Sequence, residues 1–544
     1  MDISLPGKPY HTMLEAGLKE LQDRDVLSRI WSRDHTVWKP DPDEITNRLG
    51  WLDIASRMKG EISRIEGLAE EIRRDGITKV LLLGMGGSSL APELFSRTFP
   101  APDLTLEIID STHPDYLSSV IDRLEPERTL FIVASKSGTT VETLSFFKTF
   151  YRRLQENPGI EKPGDHFLAI TDPDSRLVEL ADRYKFRALF LNDPEIGGRY
   201  SVLSFFGLVP AGLLRMDLQK LLDQAEAVAE ECREDPGEKF NPGLELGSAL
   251  GVFAVNGRDK LTFFSSPELS SFPDWAEQLL AESTGKEGRG ILPVVGTPPG
   301  RPETYGNDRV FVHLTLEGDR TWEDQVKTLQ LAGFPVIAIS LKDRYQLGGQ
   351  FFIWELAAAT AGVHLDINPF NQPNVESAKR RARTMMEEYQ KTGSLGESAG
   401  GEPDRGRLDQ FIEENRTHES YLAVQAYLSP GKEIHSALDR LQTSLRDRYQ
   451  MPTTVGFGPR YLHSTGQLHK GDGGEGIFLQ LLDSPKNDLP IPEQADSDSS
   501  EISFGTLIRA QALGDAEALR EAERPVLQFE LDRDPLAGIN VLTS

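Results

Sequence analysis

The chain's 544 residues predict an α/β protein: two domains of parallel sheet flanked by helices, plus a small C-terminal α/β unit. Three observations carry this. Five short apolar runs alternate with helix-like stretches between residues 78 and 191, and a second such round occupies 261–341. A stretch rich in glycine, serine and acids, GSLGESAGGEPDRG, then sets off a last group of strand-like runs. Alternation of apolar strands with helices is the pattern of parallel sheets covered on both faces. The length also exceeds what one hydrophobic core serves.

In order, residues 1–75 form a charged helical segment, with apolar residues recurring every three or four positions. Residues 76–235 form a first α/β domain, with strands expected at Lys79–Leu83, Leu104–Ile109, Thr129–Ala134, Phe167–Ile170 and Ala188–Leu191. Residues 236–392 form a second, with strands near 261–267, 291–296, 309–316 and 334–341. Residues 393–406 read as a linker. Residues 407–544 hold the last unit, in which YLAVQAYL, TTVGFG, GIFLQLL and PVLQFEL read as strands and EQADSDSSE as a mobile acidic loop.

Charge and cysteine content narrow the function. With 59 Lys and Arg against 85 Asp and Glu, the net charge is −26, which repels nucleic acid and anionic membrane. An anionic substrate therefore needs a locally positive or N–H-rich pocket. Cys232 is the only cysteine, so intramolecular disulfides and thiolate metal clusters are excluded. No apolar run has signal-peptide or membrane-span length, and a cytoplasmic setting is expected. No metal is expected either, because the histidines lack carboxylate partners at ligand spacing.

Two loops carry the chemistry. Gly84-Met85-Gly86-Gly87-Ser88-Ser89 follows the run KVLLL, and Ser135-Lys136-Ser137-Gly138-Thr139-Thr140-Val141-Glu142-Thr143 follows TLFIVA. Bare N–H groups and short hydroxyls at a helix start suit a phosphate dianion. The first loop, with Asp110 closing the next strand, also imitates a dinucleotide fingerprint. The doubled hydroxyls Ser88 and Ser89 and the second loop favour a terminal phosphate instead. Helix capping would need one hydroxyl, not five.

These loops resemble those of the sugar isomerase (SIS) domain, and the ensemble is similar to the phosphoglucose isomerase family. Gly197-Gly198-Arg199-Tyr200-Ser201 resembles the family's Gly-Gly-Arg-Tyr-Ser segment. Glu282-Ser283-Thr284-Gly285-Lys286 resembles Glu-Ser-Asn-Gly-Lys, with Thr284 for Asn. Asn371-Gln372-Pro373-Asn374-Val375-Glu376-Ser377-Ala378-Lys379 resembles Asp-Gln-x-Gly-Val-Glu-x-x-Lys, with Asn371 and Asn374 as departures. The likeness extends to the isomerase half of bacterial transaldolase–phosphoglucose isomerase fusions, through Arg33-Asp34-His35-Thr36 and the extra C-terminal unit. The chain starts too late for a transaldolase barrel, and no such activity is expected.

The resemblance implies two SIS-type domains and an aldose–ketose isomerase that interconverts glucose 6-phosphate and fructose 6-phosphate through a cis-enediol, without cofactor or metal. Gly86, Gly87, Ser88, Ser135, Lys136, Ser137, Thr140 and Thr143 would hold the phosphate, and Gln372 the sugar. Glu282 would be the base, a carboxylate whose pKa desolvation raises. Arg199 would stabilise the enediolate. Lys379, oriented by Glu376, would help open the ring with a histidine.

LGGQFFIWEL lacks the histidine that some members carry there, so strand-borne His313 is chosen. His463 and His469, in HSTGQLHKG, stand as rivals. The resemblance further implies a homodimer in which one subunit's histidine completes its partner's pocket. The alternatives are an isomerase of another anionic hexose (mannose 6-phosphate or a sulfonated sugar), a non-catalytic SIS-domain sensor, and, more remotely, a nicotinamide oxidoreductase.

Overall fold

A computed structural model describes residues 1–233, 240–395, 400–532 and 534–544. Its first sheet has the strand order Thr105–Ile109, Lys79–Gly84, Thr129–Ala134, Phe167–Thr171, Ala188–Leu191, all parallel. The chain starts at Lys79–Gly84, steps outward once, then crosses back to Thr129–Ala134. These adjacent strands therefore send their following loops apart, and a crevice opens between them at the carboxyl end. That is the topological switch point at which open α/β sheets bind ligands. Both hydroxyl-rich loops leave from it.

The second sheet runs Asp2–Ser4, Val336–Leu341, Arg309–Leu316, Lys260–Ser265, Leu292–Val294. All its pairs are parallel except that of Asp2–Ser4, an antiparallel edge strand that the helical reading of the first 75 residues did not foresee. A third sheet, again parallel, has the order Thr453–Phe457, Tyr421–Tyr427, Gly476–Leu482, Val526–Glu530. The expected strands are recovered with shifts of at most two residues at their ends. The turns at those ends carry no periodicity that fixes a boundary.

One apolar cluster joins these parts. Leu21, Ile30 and Trp51 of the N-terminal segment pack with Leu82 and Ile132 of the first sheet and Val312 and Ile337 of the second. The N-terminal helices are thus wedged into a common core. The other face of the first sheet, Leu81, Leu83, Phe131 and Val133, packs on Phe146, Phe147 and Phe150. Phe504 and Leu507 of the C-terminal unit extend that layer. Strand parity divides the two sets, because successive side chains point to opposite faces.

Ion pairs fix the third unit over the first two domains. Arg460 bonds both Glu93 and Asp110, His113 meets Asp483 at 2.8 Å, and Lys260 pairs with Glu475. Of the expected linker, residues 396–399 lie outside the described residues, while Gly401 pairs with Phe529 beside the third sheet. The acidic stretch near 493–501 is not loose: Asp496 accepts from Tyr184 at 2.9 Å, and Asp498 pairs with Arg152. Among the described residues, no helix is long and apolar enough to cross a membrane.

Helix Leu347–His364 is buried along almost its whole length and crosses helix Leu218–Arg233 at close range. A Cβ on Gly348 would stand 2.1 Å from the Leu221 carbonyl, whereas one on Gly67, in helix Ile62–Arg74, would meet nothing. Gly348→Ala is therefore expected to destabilise the chain by about 1–3 kcal/mol through overpacking. Gly67→Ala is expected to be neutral or stabilising by about 1 kcal/mol. Urea unfolding midpoints of the two variants check both.

Candidate active site

The first loop leaves Lys79–Gly84 through a short turn at Gly86–Ser88. Gly86 has φ +54°, and a Cβ on it would lie 2.7 Å from the His463 carbonyl. A Cβ on Gly87 would lie 2.0 Å from the Gly198 carbonyl. The loop therefore touches both the 197–201 turn and the third unit at a distance only glycine permits. Ser88 is nearly buried beside this contact, and Ser89 is turned back onto the Gly86 carbonyl at 3.1 Å.

In the second loop the hydroxyls pair among themselves. Ser135 Oγ and Thr140 Oγ1 are 2.9 Å apart, as are Ser137 Oγ and Thr139 Oγ1. Helix Val141–Gln155 then starts without a side-chain cap, leaving its first N–H groups open. Thr143 Oγ1 is fully buried and has no hydrogen-bond partner. Lys136 departs from expectation. Its ammonium is bound to Asp172 and to the Pro194 carbonyl at 3.1 Å, so it braces the loop from behind. Asp110, the acid of the imitated dinucleotide fingerprint, is held by Arg460 and is not free for a ribose.

Glu282 lies in the last turn of helix Phe272–Thr284 and is 3% exposed. Its Oε2 accepts from Arg199 at 3.4 Å and from Gln372 Nε2 at 3.1 Å. Arg199, as buried, also donates to Ser283 Oγ at 2.7 Å and to the Pro369 carbonyl at 2.6 Å. Burial pushes the Glu282 carboxyl above the usual carboxylate range, and the nearby charges of Arg199 and His463 only partly oppose it. Lys286 donates to the Asn371 carbonyl at 2.6 Å and to its side chain at 3.2 Å, holding the turn that carries Gln372. Burial, with Arg199 close by, keeps that amine well below an ordinary lysine.

The histidine assignment changes. His313 sits mid-strand in the second sheet, in register with Phe264 and Ala338, and the charges it feels are those of Asp319 and Glu323. It is placed by strand packing and is not on the wall of the cavity that His463 lines. His469 is a core residue, bonded to Tyr421 Oη at 3.1 Å and packed against Phe478. His463, unlike His313 and His469, lines the cavity beside the hydroxyl-rich loop. Its Nε2 stands 3.1 Å from Glu142 Oε1, and its carbonyl accepts from Gln278 Nε2 at 2.9 Å, on the helix of Glu282. Glu142 also accepts from Gln511 at 2.7 Å. Burial would raise Glu142, but His463, together with the residue's own backbone N–H and the charge of Lys379, keeps the carboxyl low.

A cavity of about 710 Å³ opens beside these groups. Its wall includes Ser137, Thr139, Thr140, Glu142, Lys379 and His463. Lys379 is half-exposed and paired with Glu376 at 3.0 Å. Glu282 is not on that wall, yet its carboxyl feels the charges of both His463 and Lys379. Sequence reading missed Glu142 and Gln511, whose pairing joins residues 369 positions apart. Among the described residues, no three His, Cys, Asp or Glu side chains converge as metal ligands would.

A family model described as phosphoglucose isomerase matches residues 48–290. The glucose-6-phosphate isomerase of Rubrobacter xylanophilus is 30% identical over 428 residues, covering 68% of this chain and 95% of that protein. That of Staphylococcus saprophyticus is 28% identical, covering 67% and 92%. Two solved structures share the fold. A hypothetical protein of Thermus thermophilus has a TM-score of 0.61 at 23% identity, covering 70% of this chain and 99% of that one. A glucose-6-phosphate isomerase of Chlamydia trachomatis has a TM-score of 0.59 at 19% identity, covering 74% and 89%. Taken with the Arg199–Glu282–Gln372 arrangement, this kinship establishes that the chain belongs to the phosphoglucose isomerase family.

Proposed function

We propose that this chain interconverts glucose 6-phosphate and fructose 6-phosphate by proton transfer between C1 and C2. The observation that carries the reading is the Glu282 carboxyl. It is buried, aimed by Arg199 and Gln372, and lies within the field of His463 and Lys379 beside a cavity that reaches the hydroxyl-rich loop.

The phosphate would rest on Ser135, Ser137, Thr140, Thr143 and the open N–H groups of helix Val141–Gln155, with Ser88 alongside. His463, oriented by Glu142, and Lys379 would move the protons that open the ring. Glu282 would then take the C2 proton of the open-chain aldose and return it at C1. As it does so, the carbonyl passes from C1 to C2 through a cis-enediol. The fixed guanidinium of Arg199 would offset the negative charge that develops on the intermediate's oxygens.

The assisting histidine belongs to the chain's own third unit, so the pocket is complete within one chain. A homodimer is then compatible with activity but not required for it.

A coupled assay with fructose 6-phosphate and no added metal is expected to show glucose 6-phosphate formation. Glu282→Gln should lower kcat roughly 10³-fold, while equilibrium binding of fructose 6-phosphate is kept. His463→Gln should cost roughly 10²-fold or more, and His313→Gln should stay within about twofold of the parent. Equal losses in the two histidine variants would sink the assignment. The base works only when ionised and its pKa is raised, so kcat/KM should fall with acid at a pH above the ordinary carboxylate range. A pH–rate profile between about 4 and 9 reads that limb.

A further inference from the structure

The phosphate end of the cavity holds two cations that no motif announced. Lys148 and Arg176 both line it, together with Ser137, Thr139 and Thr140. Lys148 is two turns into helix Val141–Gln155, on the face that also brings Val141, Leu144 and Ser145 to the cavity. Helical side chains lean toward the N-terminus, so its ammonium is directed toward the loop where that helix begins. Arg176 opens helix Arg176–Arg183. The loop rests directly on that opening: a Cβ on Gly138 would stand 2.6 Å from the Leu177 nitrogen and 3.1 Å from that of Arg176.

Neither cation has an ion pair or side-chain hydrogen bond among the described residues. In this chain of net charge −26 three other cations at or beside the cavity each have a carboxylate, and Arg383, on helix Val375–Thr392, is the one further lining cation without an ion pair among the described residues. Lys379 has Glu376, Lys470 has Asp515, and Lys136 has Asp172. Lys148 and Arg176 instead repel each other, and Glu493 alone acts against this from across the cavity. The hydroxyls beside them pair with one another, and the loop's two charged residues, Lys136 and Glu142, are taken up by Asp172 and by His463. A dianion entering here would relieve the repulsion and satisfy both donors.

We propose that Lys148 and Arg176 are the cations that hold the substrate's phosphate, with Lys136 serving to brace the loop. This deepens the isomerase reading, and it needs only an anionic group of phosphate charge and size. Without these two residues the pocket would rely on hydroxyls and N–H groups inside a strongly negative molecule. With them the local field is inverted where the dianion must enter.

Lys148→Met and Arg176→Met are each expected to raise KM for fructose 6-phosphate about tenfold and leave kcat within about twofold. That is the loss expected for one charge-assisted hydrogen bond. The dissociation constant of inorganic phosphate, measured calorimetrically, should rise by the same factor. Lys148→Arg and Arg176→Lys should recover most of both. Lys185→Met, which removes an exposed cation paired with Asp182 nearby, is the control for net charge and should change neither.

If KM and phosphate affinity of both Met variants stay within twofold of the parent, the assignment is overturned. A loss of kcat without any change in phosphate affinity overturns it too. Should fructose 6-phosphate prove not to be turned over at all, the phosphate titrations still decide the subsite. Should a Met variant fail to fold, its conservative partner and the second site still carry the test.

Discussion

The buried pairing of Arg199 with Glu282 is the constraint around which the rest of the site is arranged. Three separate segments meet in it: the Gly-Gly turn at 197–201, the end of helix Phe272–Thr284, and the turn at 369–374. At 3.4 Å such a pair attracts by about 4–5 kcal/mol at an effective dielectric near 20. Withdrawing each ion from water costs several kcal/mol. The two are comparable, and the upward shift of Glu282 shows that desolvation wins for the carboxyl. The pair is therefore poor as a source of stability and good as a device. Its guanidinium is fixed by Ser283 and the Pro369 carbonyl, and its carboxylate is left ready to accept a proton.

Lys286 shows the same logic one layer out. Asn371 stands where the related motif has an aspartate, so the ammonium meets only a carbonyl and an amide. The turn is still held, but by dipoles rather than by a second ion pair. Charge at the centre of the site is thereby left to Arg199 and Glu282, two of the groups to which the proposed reaction gives a part.

The third unit is more than an appendage. Through Arg460 it is pinned to Glu93 and Asp110 of the first domain, and through Gln278 to the helix of the base. Those contacts bring His463 onto Glu142, within the hydroxyl-rich loop's own helix. Gln511, from helix Phe504–Glu521, closes the arrangement from the other side. Domain architecture and the shape of the cavity are in this way one construction, because His463, which lines the cavity, also belongs to the interface.

Much of this was legible in the sequence. The strands at 79–84, 129–134 and 309–316 read directly, since buried parallel strands are near-continuous apolar runs. The hydroxyl loops read from their local pattern, because loop chemistry and helix starts are set by neighbours in the chain, and Arg199, Glu282 and Gln372 stood out through the likeness of their segments to the family's. What the sequence did not contain was distance. His313 lies on a good strand and His463 in an irregular turn, and nothing local says which of them faces residue 282. Lys136 sits in the loop by order, yet Asp172 turns it away, while Lys148, from the loop's own helix, and Arg176, from the next, line the cavity beside it. The local alphabet determined the fold class and marked out the carboxylate that the proposed reaction uses. Packing of three sheets decided which histidine and which cations line one cavity beside it, because that convergence joins residues tens to hundreds of positions apart.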